Sequence, residues 1–170
     1  MQQALPLVFL ALSLAVAPAM ATAALLEVEQ SVFGMDCVPC AYGVEKSLKK
    51  LDGVTTVRVS LNAGMVTITL AADNQLSLDQ IRQRILDNGF TPKEAIVRVF
   101  GTLDSGGSQL RLTTSANTSY LLAPYATVGE AVWGKLKLIR TGSEVEVRGR
   151  VEAGAPGPLS IFVTAVDARR

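Results

Sequence analysis

Residues 34–40 constrain this chain more than any other segment, because they place its only two cysteines in a C-x-x-C pair between two kinds of element. Before the pair, apolar and polar residues alternate along residues 26–33, which is typical of a half-buried strand. After it, Val44, Leu48 and Leu51 recur at offsets of four and three, which predicts one face of a helix. The cysteines are therefore expected on a strand-to-helix loop.

This expected position favours metal chemistry at Cys37 and Cys40. The free amides of the first helical turn and the positive end of the helix dipole favour thiolate over thiol. Two thiolates on a short loop bind one soft or borderline metal ion, such as Cu(I), Hg(II), Zn(II) or Cd(II). Because the chain contains no histidine, any metal site must use sulfur, carboxylate, backbone or water.

The elements around the pair follow a recognisable order. The alternating apolar pattern and the turn residues predict strands at 26–33, 54–61, 65–70 and 95–100, with helices after Cys40 and after the capping residue Ser77. The order β-α-β-β-α-β is that of ferredoxin-like α+β domains.

Three short motifs then carry a family resemblance. They are Gly34-Met35-Asp36-Cys37-Val38-Pro39-Cys40, Asp52-Gly53-Val54 and Gly89-Phe90. With these motifs, the region from about Leu26 to Val97 resembles a heavy-metal-associated domain, the carrier module of metal chaperones, metal-pumping ATPases and periplasmic mercury-binding proteins. The resemblance is specific because all three motifs lie at the expected spacing within the expected order of elements.

The resemblance implies a role for each residue of the site. Cys37 and Cys40 would be the ligands of one heavy-metal ion. Gly34 would permit the tight turn before them, Met35 would point inward as an apolar anchor, and Phe90 would cover the loop from the opposite side.

Asp36 bears on the choice of metal. Copper-specific members of the family usually carry Thr or Ser at this position. In having Asp there, this chain resembles the zinc, cadmium and lead ATPase domains, in which the carboxylate can be an additional ligand. Zn(II) accepts mixed oxygen and sulfur ligands and prefers four of them, whereas two thiolates suffice for Cu(I) or Hg(II). A solvated residue at the start of the helix is the alternative for Asp36.

Two other interpretations of the cysteines stay open. Cys37 and Cys40 can form a plain disulfide. They can also serve a thiol–disulfide oxidoreductase, since Pro39 precedes the second cysteine as in thioredoxin-type loops. Those enzymes usually carry an aromatic residue where this chain has Asp36, and they use a different order of elements. The first choice is therefore a metal carrier that is not an enzyme.

The N-terminus predicts an exported protein. Residues 4–24 carry no charge, and residues 21–23 fit a small-x-small cleavage site, so residues 1–23 are interpreted as a signal peptide and the protein as periplasmic. Residues 1–3 contain no Lys or Arg, which leaves an uncleaved membrane anchor open.

Beyond residues 24–97, assigned to the heavy-metal-associated domain, residues 98–170 predict a small β-rich domain. Five strands with a helix between the third and the fourth resemble an OB-fold barrel. The net charge of +1 and the absence of aromatic residues interleaved with a basic stripe argue against a nucleic-acid partner. The expected partner is a metal transporter or another metal-binding protein. A basic patch predicted on the first helix is either a docking face for an acidic partner or a solvated face; it consists of Lys46, Lys49 and Lys50.

Overall fold

The computed structural model describes residues 24–106, 109–125, 129–154 and 159–168. The predicted signal peptide, residues 1–23, lies outside the described residues. None of the described helices is long and apolar enough to cross a membrane. The described elements, in chain order, are β1 (Leu25–Phe33), α1 (Val38–Leu48), β2 (Val54–Ser60), β3 (Met65–Leu70), α2 (Leu78–Asp87), β4 (Thr91–Gly106), β5 (Gln109–Thr113), β6 (Ser119–Pro124), α3 (Gly129–Leu138), β7 (Glu144–Val151) and β8 (Ser160–Ala168).

The first part of the molecule has the predicted ferredoxin-like arrangement. Its strands lie in the order β2-β3-β1-β4 and all pair antiparallel. Helix α1 packs against β2 and α2, and α2 packs against β4. One prediction was wrong in detail: α1 ends at Leu48, and Leu51 lies half-buried in the following turn, where its amide bonds to the Leu48 carbonyl at 3.0 Å.

Helix α2 begins where the sequence predicted. The Ser77 side chain accepts a hydrogen bond from the Gln80 amide, and the Gln80 side chain accepts one from the Ser77 amide. This reciprocal capping box satisfies two amides that the first turn leaves without a helical partner. Leu78, Ile81 and Ile85 then face the core with no exposed surface, so that α2 is fixed on the sheet.

Strand β4 is the longest element and serves both halves of the chain. Residues 91–99 pair with β1 and residues 102–106 pair with β5. Residues 95–102 also pair with β7, which therefore occupies the opposite edge of β4 from β1. The predicted domain boundary between residues 97 and 98 falls inside this continuous strand.

The second part is β-rich and closes into a barrel. In the described residues the strands follow the order β4-β5-β6-β8-β7 and return to β4. Strands β6 and β8 are parallel, and the other neighbours are antiparallel. Helix α3, between the third and fourth strands of the barrel, packs against β6 and β8. The predicted number of strands and the place of the helix are confirmed.

Buried polar groups join the two parts. Arg82 of α2 is 8% exposed and donates from Nη2 to the backbone oxygen of Val151 in β7, at 3.3 Å. Tyr120 of β6 is fully enclosed, and its phenol is hydrogen-bonded to the backbone of Leu78 in α2. Burial raises the pKa of Tyr120 to about 12, because the charged phenolate is disfavoured there. Helix α2 therefore contacts the barrel as well as its own sheet.

Ion pairs continue this connection across β1, β4 and β7. Arg98 pairs with Glu27 on one side and Glu146 on the other, each at 3.2 Å. Two further pairs, Arg148–Glu29 and Arg150–Glu94, link β7 to the first part. These side chains are partly exposed, so each pair adds roughly 0–1 kcal/mol.

Candidate metal site

The loop that carries the cysteines is shaped by its first two residues. Gly34 has φ of +90°, a left-handed conformation that glycine adopts without steric cost. The ring of Phe90 lies beside it: a Cβ placed on Gly34 would be 3.9 Å from its Cδ1 atom. Met35 is 2% exposed and belongs to the core cluster. The chain thus turns sharply after β1 and is held from inside by one apolar side chain.

Cys37 is the N-cap of α1. Its backbone is extended, and its Sγ atom accepts a hydrogen bond from the Cys40 amide at 3.1 Å. Pro39 lies in the first turn, where its missing N–H costs no helical hydrogen bond. The amides and the dipole at this helix end therefore face sulfur, and both favour a negatively charged sulfur.

The sulfur atoms of Cys37 and Cys40 are joined in a disulfide, with their α-carbons 5.0 Å apart. The structure thus contains a disulfide, which was one of the alternatives in the sequence analysis. Neither sulfur is a thiolate in this form. Cys37 is exposed and Cys40 is half-buried. Reduction of this bond would leave two sulfurs on one short, accessible loop, and metal binding by that reduced pair stays a prediction.

Asp36 lies next to the pair with an exposed side chain. Within the described part of the chain, no group of three or more Cys, Asp or Glu side chains is close enough to hold a metal ion. The arrangement therefore brings together two sulfurs, and the role of Asp36 as an additional ligand stays a prediction. Phe90 is half-buried beside the loop, where the sequence expected it to cover the site.

Exposed apolar side chains surround the loop, and the sequence analysis did not single them out. Phe33, Val38 and Tyr42 are 69%, 72% and 64% exposed. The ammonium of Lys93 lies over the Phe33 ring at 5.4 Å, and that of Lys46 over the Tyr42 ring at 6.0 Å. The sequence could have identified these residues by their position close to the C-x-x-C pair.

Lys46 in α1 and Lys49 directly after it have different partners. Lys49 pairs with Glu45 one turn earlier, whereas Lys46 is exposed beside Tyr42. The loop is therefore flanked by apolar rings, each with an ammonium group over it. Such a border suits a partner surface that is apolar at its centre and acidic at its rim.

Comparison with known proteins agrees with this description. Residues 30–91 match the model of the heavy-metal-associated domain. The copper chaperone CopZ of Staphylococcus saprophyticus is 40% identical over 62 residues, which are 36% of this chain and 90% of that protein. The copper chaperone CopZ of Bacillus subtilis is 42% identical over 59 residues, 35% of this chain and 84% of that protein.

Among solved structures, oxidised MerP from Ralstonia metallidurans CH34 is 28% identical, with a TM-score of 0.37, and the match covers 40% of this chain and 93% of that one. The sequence matches carry the assignment: they cover nearly the whole length of two chaperones, and the match to the family model includes the loop with both cysteines. Through residues 30–91, this chain belongs to the heavy-metal-associated domain family.

Proposed function

We propose that this protein is a periplasmic carrier, not an enzyme, that holds one heavy-metal ion between the reduced sulfurs of Cys37 and Cys40. The observation that carries the proposal is the position of the two sulfurs, which are within bonding distance of each other on an exposed loop at the N-terminus of α1. The relatives that match this part of the chain are named copper chaperones, which supports a carrier role.

Metal release would proceed by ligand exchange. Two thiolates leave a Cu(I) or Hg(II) ion with few ligands, so an incoming partner thiolate can bind before Cys37 or Cys40 leaves. Cys37 is the more exposed of the two and is the one we expect to be displaced first. Because Met35 holds the loop from inside, the exchange requires no rearrangement of the core.

The proposed cargo is Cu(I) first, because the matched chaperones are named for copper. Hg(II), Zn(II) and Cd(II) are the other candidates on chemical grounds. Asp36 favours the divalent ions on chemical grounds, because Zn(II) accepts mixed oxygen and sulfur ligands and prefers four of them. The metal ion is the cargo that the protein receives and passes on.

The proposed partner is a metal transporter or another metal-binding protein. It would meet the loop on the surface formed by Phe33, Val38 and Tyr42, with Lys46 and Lys93 at its rim. Apolar contact at the centre and opposite charge at the edge are features of specific transient interfaces.

We propose an OB-like fold for the barrel and an accessory role for it in the exchange of metal between this protein and its partner.

The proposed compartment follows from residues 1–23, which have the composition of a signal peptide. The periplasm is oxidising, and the disulfide between Cys37 and Cys40 is the form that such a compartment favours. A carrier there would need a reductant, or a bound metal ion, to keep its thiolates available.

The proposal is tested by titrating the reduced and the oxidised protein with Cu(I) under anaerobic conditions, in competition with a chromophoric chelator. We expect the reduced protein to bind one ion per chain and the oxidised protein to bind far more weakly, because a disulfide sulfur is a poor ligand. Reduction of insulin disulfides is measured in parallel. Absence of metal binding together with catalytic insulin reduction would replace the carrier with a thiol–disulfide oxidoreductase.

A further inference from the structure

A cavity lies where α2, the start of β4 and the residues flanking β7 and β8 meet. Its volume is about 630 Å³, which is in the range that accommodates small organic molecules. It shares no lining residue with the cysteine loop. The described residues that line it include one acidic side chain (Asp79), two basic ones (Arg82 and Lys93) and three apolar ones (Leu86, Pro92 and Leu159).

Arg82 is a preorganised group in this cavity. It is 8% exposed, and its Nε atom donates to Gln30 Oε1 at 3.2 Å. Its Nη2 atom donates to the backbone oxygens of Lys93 and Val151, each at 3.3 Å. Gln30 is itself buried and donates to the backbone oxygens of Lys93 and Glu94. The guanidinium is thus held on one side, and its Nη1 atom has no hydrogen-bond partner in the described part of the chain.

The charges of the cavity are not balanced by close ion pairs. Among the described residues, no carboxylate oxygen lies within 4.0 Å of Arg82 or of Lys93. The Lys93 ammonium faces the Phe33 ring instead. Burial lowers the pKa of Arg82, and the more distant Asp79 partly opposes this shift. Because no buried side-chain nitrogen or oxygen of the described residues lacks a partner, Nη1 is accessible from the cavity, where an anion would form a charge-assisted hydrogen bond with it.

We propose that this cavity binds a small organic acid, whose carboxylate accepts a hydrogen bond from Arg82 Nη1 and whose apolar part contacts Leu86 and Leu159. The positive charge of Lys93, which also lines the cavity, favours the same anion from a greater distance. The wall chemistry favours an organic anion over an inorganic one, because apolar side chains line the space that the charged groups leave. Asp79 favours a singly charged carboxylate over a dianionic phosphate, since a second negative charge would be repelled. This site shares Lys93 with the rim of the proposed partner surface, but it shares no residue with the cysteine loop and does not depend on metal binding.

Benzoate is a suitable probe, with benzamide as its neutral control of the same shape. The full chain labelled with ¹⁵N is titrated with each, and the signals of Arg82 Nε and of the Thr91, Lys93 and Gly154 amides are followed by NMR. We expect benzoate to shift these signals saturably and benzamide to leave them in place. Arg82→Met should weaken benzoate binding about tenfold, which is the effect expected of one charge-assisted hydrogen bond.

Two further variants keep the test decisive. Lys93→Met removes the second cation from a more exposed position, and should also weaken benzoate binding even if Arg82→Met fails to fold. Arg84→Met changes an arginine on the same helix that does not line the cavity, and should leave benzoate binding unchanged. The proposal is overturned by equal binding of benzamide, by shifts that never saturate with benzoate, or by Lys93→Met binding benzoate as the unchanged protein does.

Discussion

The cysteine loop and the barrel differ in how their important residues are arranged along the chain. The loop gathers Gly34, Met35, Cys37 and Cys40 within seven consecutive residues, and an exposed surface results. The barrel depends on contacts between distant residues, such as Arg82 with Val151, which are 69 positions apart. A local site can therefore change its chemistry without changing the fold, whereas a change at a long-range contact affects both halves.

The largest expected effect tests the local character of the loop. Replacing both Cys37 and Cys40 with Ser should lower metal affinity by several orders of magnitude, because a serine hydroxyl stays protonated near neutral pH and is a hard ligand. The melting temperature should change little, since the disulfide closes only a very short loop. Chelator competition and thermal melts measure the two quantities. Tight stoichiometric binding by the double variant would disprove the assigned site.

The next effect tests the barrel. A Cβ on Gly149 would lie 2.5 Å from both Ile161 Cγ2 and the backbone oxygen of Phe162, so Gly149→Ala should cost about 3 kcal/mol by overpacking. Gly134→Ala is the matched control, because nothing lies within 4 Å of its Cβ position and a helical alanine gains about 1 kcal/mol. Urea unfolding should show one transition in each variant. Two transitions, with only one of them shifted, would show that the halves unfold independently.

A pH titration tests the contact between Tyr120 and α2. The pKa of Tyr120 in the folded protein is about 12, above its value of about 10 in an unfolded chain. The stability it contributes is therefore complete below pH 10 and is lost as the pH rises to 12, by up to about 3 kcal/mol.

Tyr120→Phe should remove that part of the alkaline loss, while Tyr42→Phe, at an exposed position, should leave it in place. The measurement is the free energy of unfolding at several pH values between 9 and 12. If the free energy of unfolding fell equally steeply with pH in the Tyr120 variant and in the unchanged protein, the phenol would ionise without separating β6 from α2.

A pair of glycines gives a smaller effect within the first part. Gly53 and Gly89 have φ of +88° and +84°, so alanine at either should cost about 1–2 kcal/mol for the left-handed backbone. Only at Gly53 would the new Cβ also collide, at 2.5 Å from the Cβ of Asn74. Gly53→Ala should therefore unfold at lower urea concentration than Gly89→Ala. Equal urea midpoints for the two variants would mean that the segment around Asn74, between β3 and α2, moves aside without cost.

The smallest expected effect concerns metal selectivity. Asp36→Thr should weaken Zn(II) and Cd(II) binding a few-fold and leave Cu(I) and Hg(II) binding nearly unchanged, because only the divalent ions with higher coordination numbers gain from a third, charged oxygen ligand. Competition titrations with each ion provide the comparison. Equal changes for both classes, or none for either, would leave Asp36 as an exposed residue at the start of the helix.

The sequence predicted the first part well because its signals are local. The alternation of β1, the cap at Ser77 and the glycine before Met35 each depend on residues a few positions apart. The same rules predicted the strands of the barrel and the helix between them. The disulfide remained one of several possibilities, since spacing alone does not distinguish a thiolate pair from an oxidised one.

The contacts between the two parts could not be predicted in the same way. Arg148 meets Glu29 across 119 positions, and nothing in either local sequence marks the other. Arg82 looked like an ordinary polar residue of an amphipathic helix, and only the fold shows that it is buried between α2, β1 and β7. Such pairs depend on which strands become neighbours, and a single sequence does not specify this.

The double pairing of β4 has a consequence for assembly. Of the eight described strands, β2 alone pairs along a single edge, because β7 covers the edge of β4 that the first sheet would otherwise leave open. Among these strands, β2 is therefore the one with an edge free for a strand from another chain, and its Thr56, Arg58 and Ser60 are exposed. Polar and charged side chains on an edge strand discourage unintended pairing. The barrel thus covers one of the two edges through which the first sheet would otherwise be able to pair with another chain.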